Sequence, residues 1–287
     1  MRVLVTGARG QVGGEVARAL AGRAEVIAHD RSTLDLADRG QIAGRVREAR
    51  PDAIVNAAAY TAVDRAESDE ASARAVNAVA PGILAEEARR AGALLVHYST
   101  DYVFDGTKRG AYVESDATGP LNVYGRTKLE GERAIAASGC AYAILRTSWV
   151  YGPQGGNFVR TMLRLARERE ELRVVDDQRG APTSSLQLAR ATIDILDRAR
   201  DAPGLYHATA AGETTWLGYA QAIFDEQSRR DRAFRVPRLV AIATRDYPTP
   251  ARRPANSVLD SSRLAQTFGI RLGPWRDALV ETLAALR

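Results

Sequence analysis

The chain has 287 residues, with 40 lysines and arginines against 35 aspartates and glutamates, for a formal net charge of +5. That length buries a substantial core as one large domain or two unequal lobes, and 45% hydrophobic with 26% charged residues is globular composition. Basic residues are interspersed with acidic ones and no apolar run reaches the roughly 18 residues of a membrane span, so neither nucleic acid nor membrane is an expected partner.

Met1 and Arg2 lead straight into Val3-Leu4-Val5 and a glycine turn, which leaves no room for a signal peptide, and the single cysteine, Cys140, has no partner for a disulfide. Both features fit a cytoplasmic protein. Only two of the 40 basic residues are lysines, Lys108 and Lys128. Surface cations are almost always arginine here, so each lysine is a candidate for a specific task.

In chain order, strands are predicted at 2–6, 25–29, 53–57, 93–99 and 141–147, alternating with helices at 11–21, 40–49, 68–91 and 124–138. Five strand and helix alternations predict an α/β fold, a Rossmann-type doubly wound parallel sheet over residues 1–150. Beyond residue 150 the rhythm loosens, with proline and glycine pairs between helical patterns at 158–169, 186–200, 216–229, 261–268 and 275–286. These predict a smaller, mainly helical substrate lobe over 151–287, with segments near 181–210 returning to the sheet.

The first strand ends in Thr6-Gly7-Ala8-Arg9-Gly10-Gln11-Val12-Gly13 and opens directly into a helix. Glycines at this spacing let backbone approach a diphosphate, and the helix N-terminus favours its charge. Gly7, Gly10, Gln11, Val12 and Gly13 are therefore candidate cofactor contacts. Asp30, 17 residues beyond Gly13, suits an adenosine ribose and favours NADH, whereas the adjoining Arg31 can offset repulsion of the extra phosphate of NADPH. Either cofactor fits. Asp35 and Leu36 are placed near the adenine, with a turn role for Asp35 as the alternative, and Ala58, Ala59 and Tyr60 lie where the cofactor ribose would pass.

Tyr124 and Lys128 stand four residues apart, on one face of a helix. A tyrosine can give a proton to a developing alkoxide, and a neighbouring ammonium eases formation of the phenolate. With so few lysines, coincidence explains the pairing poorly. Thr100 or Ser99, at the end of the fourth strand, is placed to polarise a substrate carbonyl, with loop capping as the plainer alternative.

Through Gly7, Gly10, Gly13, Asp30, Tyr124 and Lys128 the sequence resembles the extended short-chain dehydrogenase/reductase superfamily. Within it, the stretches Ser99 to Gly106, Tyr124 to Glu132, Arg146 to Gly152, Asp177 to Thr183 and Arg253 to Asp260 resemble the dTDP-4-dehydrorhamnose reductase family along essentially the whole chain. The resemblance implies NADPH- or NADH-dependent reduction of the C4 ketone of a dTDP-linked 4-keto-6-deoxy sugar. It gives Tyr124 the proton, Lys128 the tuning of Tyr124 and a hold on the cofactor, Thr100 and Asp101 contacts with the sugar, and Trp149 a wall of the pocket, where the plainer role is a core aromatic. Some members are metal-bridged dimers, but no acidic cluster near Leu186 joins Glu15, so no metal is expected and the protein is a monomer or homodimer. Arg252 and Arg253 are candidates for the nucleotide diphosphate, with solvated arginines as the plainer reading. The competing functions are reduction or epimerisation of another nucleotide sugar, and a noncatalytic regulatory subunit.

Overall fold

The computed structural model describes residues 1–286. The first half runs β1 (Arg2–Thr6), α1 (Gln11–Leu20), β2 (Glu25–His29), α2 (Arg39–Ala49), β3 (Ala53–Asn56) and the short α3 (Val63–Ala66). Then follow α4 (Glu70–Arg74), a π-helical turn (Ala75–Val79), α5 (Ala80–Ala91), β4 (Leu94–Thr100), a 3-10 turn (Asp101–Val103), α6 (Val123–Ala137) and β5 (Ala141–Thr147). The second half runs β6 (Val150–Tyr151), α7 (Phe158–Glu168), β7 (Glu171–Val175), β8 (Arg179–Gly180), β9 (Thr183–Ser184), α8 (Ser185–Leu196) and β10 (Gly204–His207). It closes with β11 (Thr214–Thr215), α9 (Trp216–Arg230), β12 (Arg238–Ile242), α10 (Ser262–Phe268) and α11 (Trp275–Ala285).

The main sheet has the order β10-β5-β4-β3-β1-β2, and each neighbouring pair is parallel. Its strands are near-continuous apolar runs because helices cover both faces. Along β1, Val3 and Val5 point to one face with α1, α8 and α10, through Val16, Leu20, Leu188, Ile195, Leu264 and Phe268. Leu4 points to the other, where Ile42 and Val46 of α2, Leu84 and Ala88 of α5, and Ile135 of α6 close the layer. A third core, built on Tyr151, Val159, Leu172, Tyr219, Phe224, Trp275 and Leu279, belongs to the C-terminal half.

Three features depart from the sequence-based expectation. A sixth strand, β10, pairs with β5 at the sheet edge, where its four residues are too short to show a period. The C-terminal half carries short ladders as well as helices: β7 with β12, β6 with β9 and β8 with β11. The helix predicted over 68–91 is interrupted by the π-turn, which turns Asn77 inward, where it is fully buried.

Helix α6 lies unusually close to its neighbours. A Cβ on Gly125 would fall well inside contact distance of the Tyr102 carbonyl, and one on Gly131 well inside contact distance of the Asn77 carbonyl. Exposed Gly44 of α2 has open space at the same position. Gly131→Ala is therefore expected to destabilise the protein by roughly 2 kcal/mol or more through a clash with backbone that cannot rotate away. Gly44→Ala is expected to stabilise it by about 0.5–1 kcal/mol. Urea unfolding of the two variants beside the parent protein tests both signs.

Candidate active site

The glycine turn is shaped as a diphosphate cradle. Gly7 has φ +69°, and a Cβ there would strike the Ala57–Ala58 backbone at the end of β3. Gly13 presses on the Gly7 carbonyl so closely that no side chain fits. No side chain caps α1, whose N-cap is Gly10, so its first amides are left for an anion. A dinucleotide fits this end of the sheet. Gln11 has a further task, because its side-chain carbonyl accepts from the amide of Asn157, 2.9 Å away in the second half, while Val12 packs against the first core.

Asp30 sits at the end of β2, and the cation that meets it is Arg9 of the glycine turn, 2.7 Å away, rather than exposed Arg31. The Ser32 amide donates to Asp30 as well, and hydrogen bonding from Ser32 holds the carboxyl below its ordinary value. Asp35 takes the turn role: its carboxylate accepts from the Ala37 amide at 2.9 Å. The Leu36 side chain is buried in the second core. Ala58 packs there too, Ala59 is half-buried, and the Tyr60 hydroxyl donates to Asp69 at 3.0 Å. Asn77, which no motif singled out, clamps Tyr60 at both ends: its side chain accepts from the Tyr60 amide (2.8 Å) and donates to the Tyr60 carbonyl (3.0 Å).

Tyr124 lies in the first turn of α6, where Asn122 caps the helix by accepting from the Gly125 amide at 2.8 Å. Its half-buried ring meets Tyr102 edge to face at 5.6 Å. Burial pushes the phenol up to about 12 against the pull of the Thr100 hydroxyl, so it is protonated at neutral pH. Thr100 takes the plainer of its two expected roles, the cap, and has a further partner in Asp101. It caps the 3-10 turn by accepting from the Tyr102 amide at 3.1 Å, and it donates to Asp101 Oδ1 at 3.0 Å. Ser99, the alternative, is turned away: its hydroxyl donates to Glu132, which forms a buried bidentate pair with Arg146.

Lys128 is buried on the same face of α6 as Tyr124, but neither of its contacts is with the phenol. Its Nζ donates to the Tyr98 carbonyl at 2.6 Å and lies 3.2 Å from His97 Nε2. Burial pulls the ammonium down to about 8, and the Glu132 charge pushes it back. Asp101 is buried too. Its Oδ2 has no hydrogen-bond partner among the described residues, and burial raises the acid to about 6 against hydrogen bonds from Ser257 and Thr100.

Trp149 is held in an uncommon backbone state, φ +47°. Its ring edge rests where a side chain on Gly180 would be, and its face stacks on Trp216 at 3.6 Å with the planes 7° apart. Trp216 is pinned in turn by donating to Gln178 at 3.1 Å. Arg253 is not a free solvated arginine, since it forms a bidentate pair with Asp64; Arg252 is exposed. Glu15 is buried and paired with Arg18. Among the described residues no group of three or more His, Cys, Asp or Glu is placed to hold a metal, and no helix is long and apolar enough to cross a membrane.

A parallel sheet with a glycine cradle after β1 and a tyrosine–lysine helix beside the end of β4 define a nicotinamide-dependent oxidoreductase of the extended short-chain dehydrogenase/reductase type. Residues 1–287 match the family described as RmlD substrate binding domain. The chain belongs to this family, the dTDP-4-dehydrorhamnose reductases. It is 51% identical over 288 residues to the dTDP-4-dehydrorhamnose reductase of Burkholderia thailandensis, covering 97% of each chain. With the Escherichia coli K12 enzyme of the same name it shares 46% over 283 residues, or 96% of this chain and 95% of that one. Among solved structures, the Clostridium acetobutylicum reductase superposes with a TM-score of 0.93 at 38% identity, over 99% of both chains. The Bacillus anthracis reductase, solved with NADP, also gives 0.93, at 33% identity over 99% of this chain and 98% of that one.

The raised pKa of Asp101 has a stability consequence. The folded value, about 6, lies above the unfolded value near 4, so the contribution of Asp101 is complete below about pH 4 and lost above about pH 6. Asp101→Asn stays neutral throughout and is expected to be more stable than the parent at pH 8, by at most about 3 kcal/mol. The gain is expected to shrink as the pH falls towards 5. Thermal melts of the two proteins across that range check the sign and the window.

Proposed function

We propose that the protein reduces the C4 ketone of dTDP-4-dehydro-6-deoxy-L-mannose (dTDP-4-dehydrorhamnose) with NADPH or NADH to form dTDP-L-rhamnose, the last step of dTDP-rhamnose synthesis. The observation that carries this reading is the meeting of Tyr124, Thr100 and Asp101 beyond the end of β4, beside the glycine cradle. Relatives of the same name across nearly the full chain support it.

Gly7, Gly10 and Gly13, with the first amides of α1, hold the cofactor diphosphate. Asp30 takes the adenosine ribose, and Arg9 beside it offsets the carboxylate enough for a 2′-phosphate to be tolerated. Ala58, Ala59 and Tyr60 border the path to the nicotinamide. Bound NADPH or NADH supplies the hydride.

Tyr124 keeps its proton at neutral pH and gives it to the C4 oxygen as negative charge develops there. The Thr100 hydroxyl turns from Asp101 to the same oxygen, and the free Asp101 Oδ2 accepts from a sugar hydroxyl. Lys128, held by Tyr98 and His97 on the same face of α6 as Tyr124, supplies the positive charge that eases loss of the proton. Trp149, immobilised by Trp216, forms a wall for the sugar. A nucleotide-activated substrate and a nicotinamide cofactor are consistent with a cytoplasmic reaction.

Mixing the purified protein with NADPH and enzymatically generated dTDP-4-dehydrorhamnose is expected to consume the reduced cofactor, followed by its absorbance. Oxidation only with a different keto-sugar nucleotide would move the protein to a sister activity, and no cofactor binding would support the regulatory reading. Tyr124→Phe is expected to lower turnover by roughly 10²–10⁴-fold while its affinity for NADPH, read by cofactor fluorescence, stays near that of the parent.

A further inference from the structure

Three neighbouring strands carry polar side chains at one level of an otherwise apolar sheet. Thr6 of β1 stands in register with Asn56 of β3, and Asn56 with His97 of β4. All three are buried to within 1% of complete. They are joined in a row: Thr6 Oγ1 lies 2.6 Å from Asn56 Oδ1, Asn56 Nδ2 lies 2.9 Å from His97 Nδ1, and His97 Nε2 lies 3.2 Å from Lys128 Nζ. The residues that flank them along the strands, Val5, Val55 and Val96, are apolar and fully buried. A buried polar row of this length is costly unless each member is satisfied, and it holds its members rigidly when they are. One end is Lys128. The other is the residue before Gly7, whose hydroxyl also accepts from the Ala58 amide at 3.4 Å.

We propose that His97 is a positioning residue for Lys128, and that the row His97–Asn56–Thr6 anchors the amine and accommodates both of its protonation states by reversing its hydrogen-bond direction. The proposal rests on the reading of Lys128 as the assistant to Tyr124.

Proton counting carries the second half. A charged Lys128 donates to Nε2, so the neutral imidazole must hold its proton on Nδ1. That proton needs an acceptor, and Asn56 provides one if its amide turns, placing Oδ1 towards His97 and Nδ2 towards the Thr6 hydroxyl. The two ends of the amide have the same shape, so the turn requires no repacking. A neutral Lys128 reverses every step. Nε2–H donates to the amine, Nδ1 accepts from Asn56 Nδ2, and Asn56 Oδ1 accepts from Thr6. His97 and Asn56 face each other with matched donors and acceptors in either state, which a residue with one fixed polarity could not achieve; the cost of the charged state falls on Thr6, whose proton loses the Asn56 acceptor while its oxygen accepts from Asn56 and from the Ala58 amide.

His97 is held well below its ordinary value by burial and by the Lys128 charge, so it remains neutral while Lys128 titrates near 8. The other groups packed around Lys128 are few. Glu132, one turn along α6, is the charge that pulls it towards its ammonium form, and that carboxylate is already shared by Arg146 of β5 and Ser99 of β4. Tyr124 precedes it on α6, and Asp101 of the 3-10 turn acts on Tyr124. The π-turn brings neutral Asn77, which reaches Thr127 at 3.3 Å, and α4 brings Glu70 and Arg74, which pair with Arg126 and Glu130.

The near-absence of lysine makes the test direct. In protein labelled with [ε-13C]lysine only Lys108 and Lys128 give signals, and [15N]histidine labelling adds only His29, His97 and His207. In the wild-type protein without cofactor, Lys128 is expected to titrate near pH 8. The His97 nitrogens are expected to exchange tautomer, from Nδ1–H to Nε2–H, with the same midpoint. A His97 that keeps one tautomer through the Lys128 midpoint would overturn the proposal, whatever the substrate of the enzyme. His97→Asn, which reaches Asn56 but not Lys128, is expected to lower the Lys128 midpoint and the alkaline limb of kcat by about 0.5–1 pH unit. His97→Gln, which places an amide near Nε2, is expected to restore both. Equal Lys128 midpoints in the two folded variants and the parent would count equally against it. If neither variant folds, the wild-type tautomer measurement decides alone.

Discussion

Helix α6 comes close enough to the end of β4 to set Tyr124 beside Thr100 because two of its residues lack a Cβ. Gly125 meets the Tyr102 carbonyl and Gly131 meets the Asn77 carbonyl, one turn and a half apart along the helix. Tyr124 immediately precedes the first contact, and Thr127, bonded by Asn77, and Lys128 lie between the two. The approach also carries Glu132 into the sheet, where Arg146 and Ser99 meet it. A buried ion pair of this kind adds little net stability, but removal of either partner leaves an unpaired charge, so it specifies where the helix must lie. The position of the acid is thus fixed by backbone contact and an internal ion pair together.

The second half of the chain is fastened to this frame by polar contacts that bridge distant parts of the sequence. Asn157 donates to Gln11 at the start of α1, the bidentate pair of Asp64 and Arg253 ties the 250s segment beside the first turn of α6, and Asn122, the cap of that helix, donates to the Arg252 carbonyl at 2.8 Å. The two adjacent arginines stand in different surroundings, Arg253 paired with Asp64 and Arg252 exposed. Trp149 belongs to the same boundary. Its left-handed backbone and its stack on Trp216 fix the orientation of the ring, at a cost in local strain.

Periodicity and glycine spacing made the sheet legible. Strands β1, β2 and β5 begin and end where the apolar runs do; β1 and most of β5 are buried on both faces, and β2, half-buried at the sheet edge, is marked off by turn residues. The glycine turn was legible for the same reason that it works: only glycine allows the approach of Gly7 to Ala58. Spacing alone also put Tyr124 and Lys128 on one face, but it could not show that the amine points down to Tyr98 and His97 in the free protein. That orientation depends on a strand pairing, Asn56 with His97, between residues 41 positions apart. Arg9 escaped notice because its partner Asp30 is local in space but not in sequence, and Asn77 because a π-turn leaves no pattern in the hydrophobic period.

The scarcity of lysine takes on a physical meaning at Lys128. A guanidinium keeps its charge at any accessible pH and spreads five donors over a plane, whereas the ammonium is compact and can lose its proton when buried. The space under α6 offers one carbonyl, from Tyr98, and one imidazole nitrogen, from His97, within 3.2 Å of Nζ. Five fixed donors could not be satisfied there, and a guanidinium would hold a permanent charge where burial pulls the amine down to about 8. Lys108, paired with Asp116 on the surface, meets neither condition, and nothing in the structure distinguishes it from the arginines around it. What sets Lys128 apart from the arginines is therefore the row behind it. On the proposal made above, the amine changes charge while His97 and Asn56 change direction with it, which a guanidinium in the same place would never require.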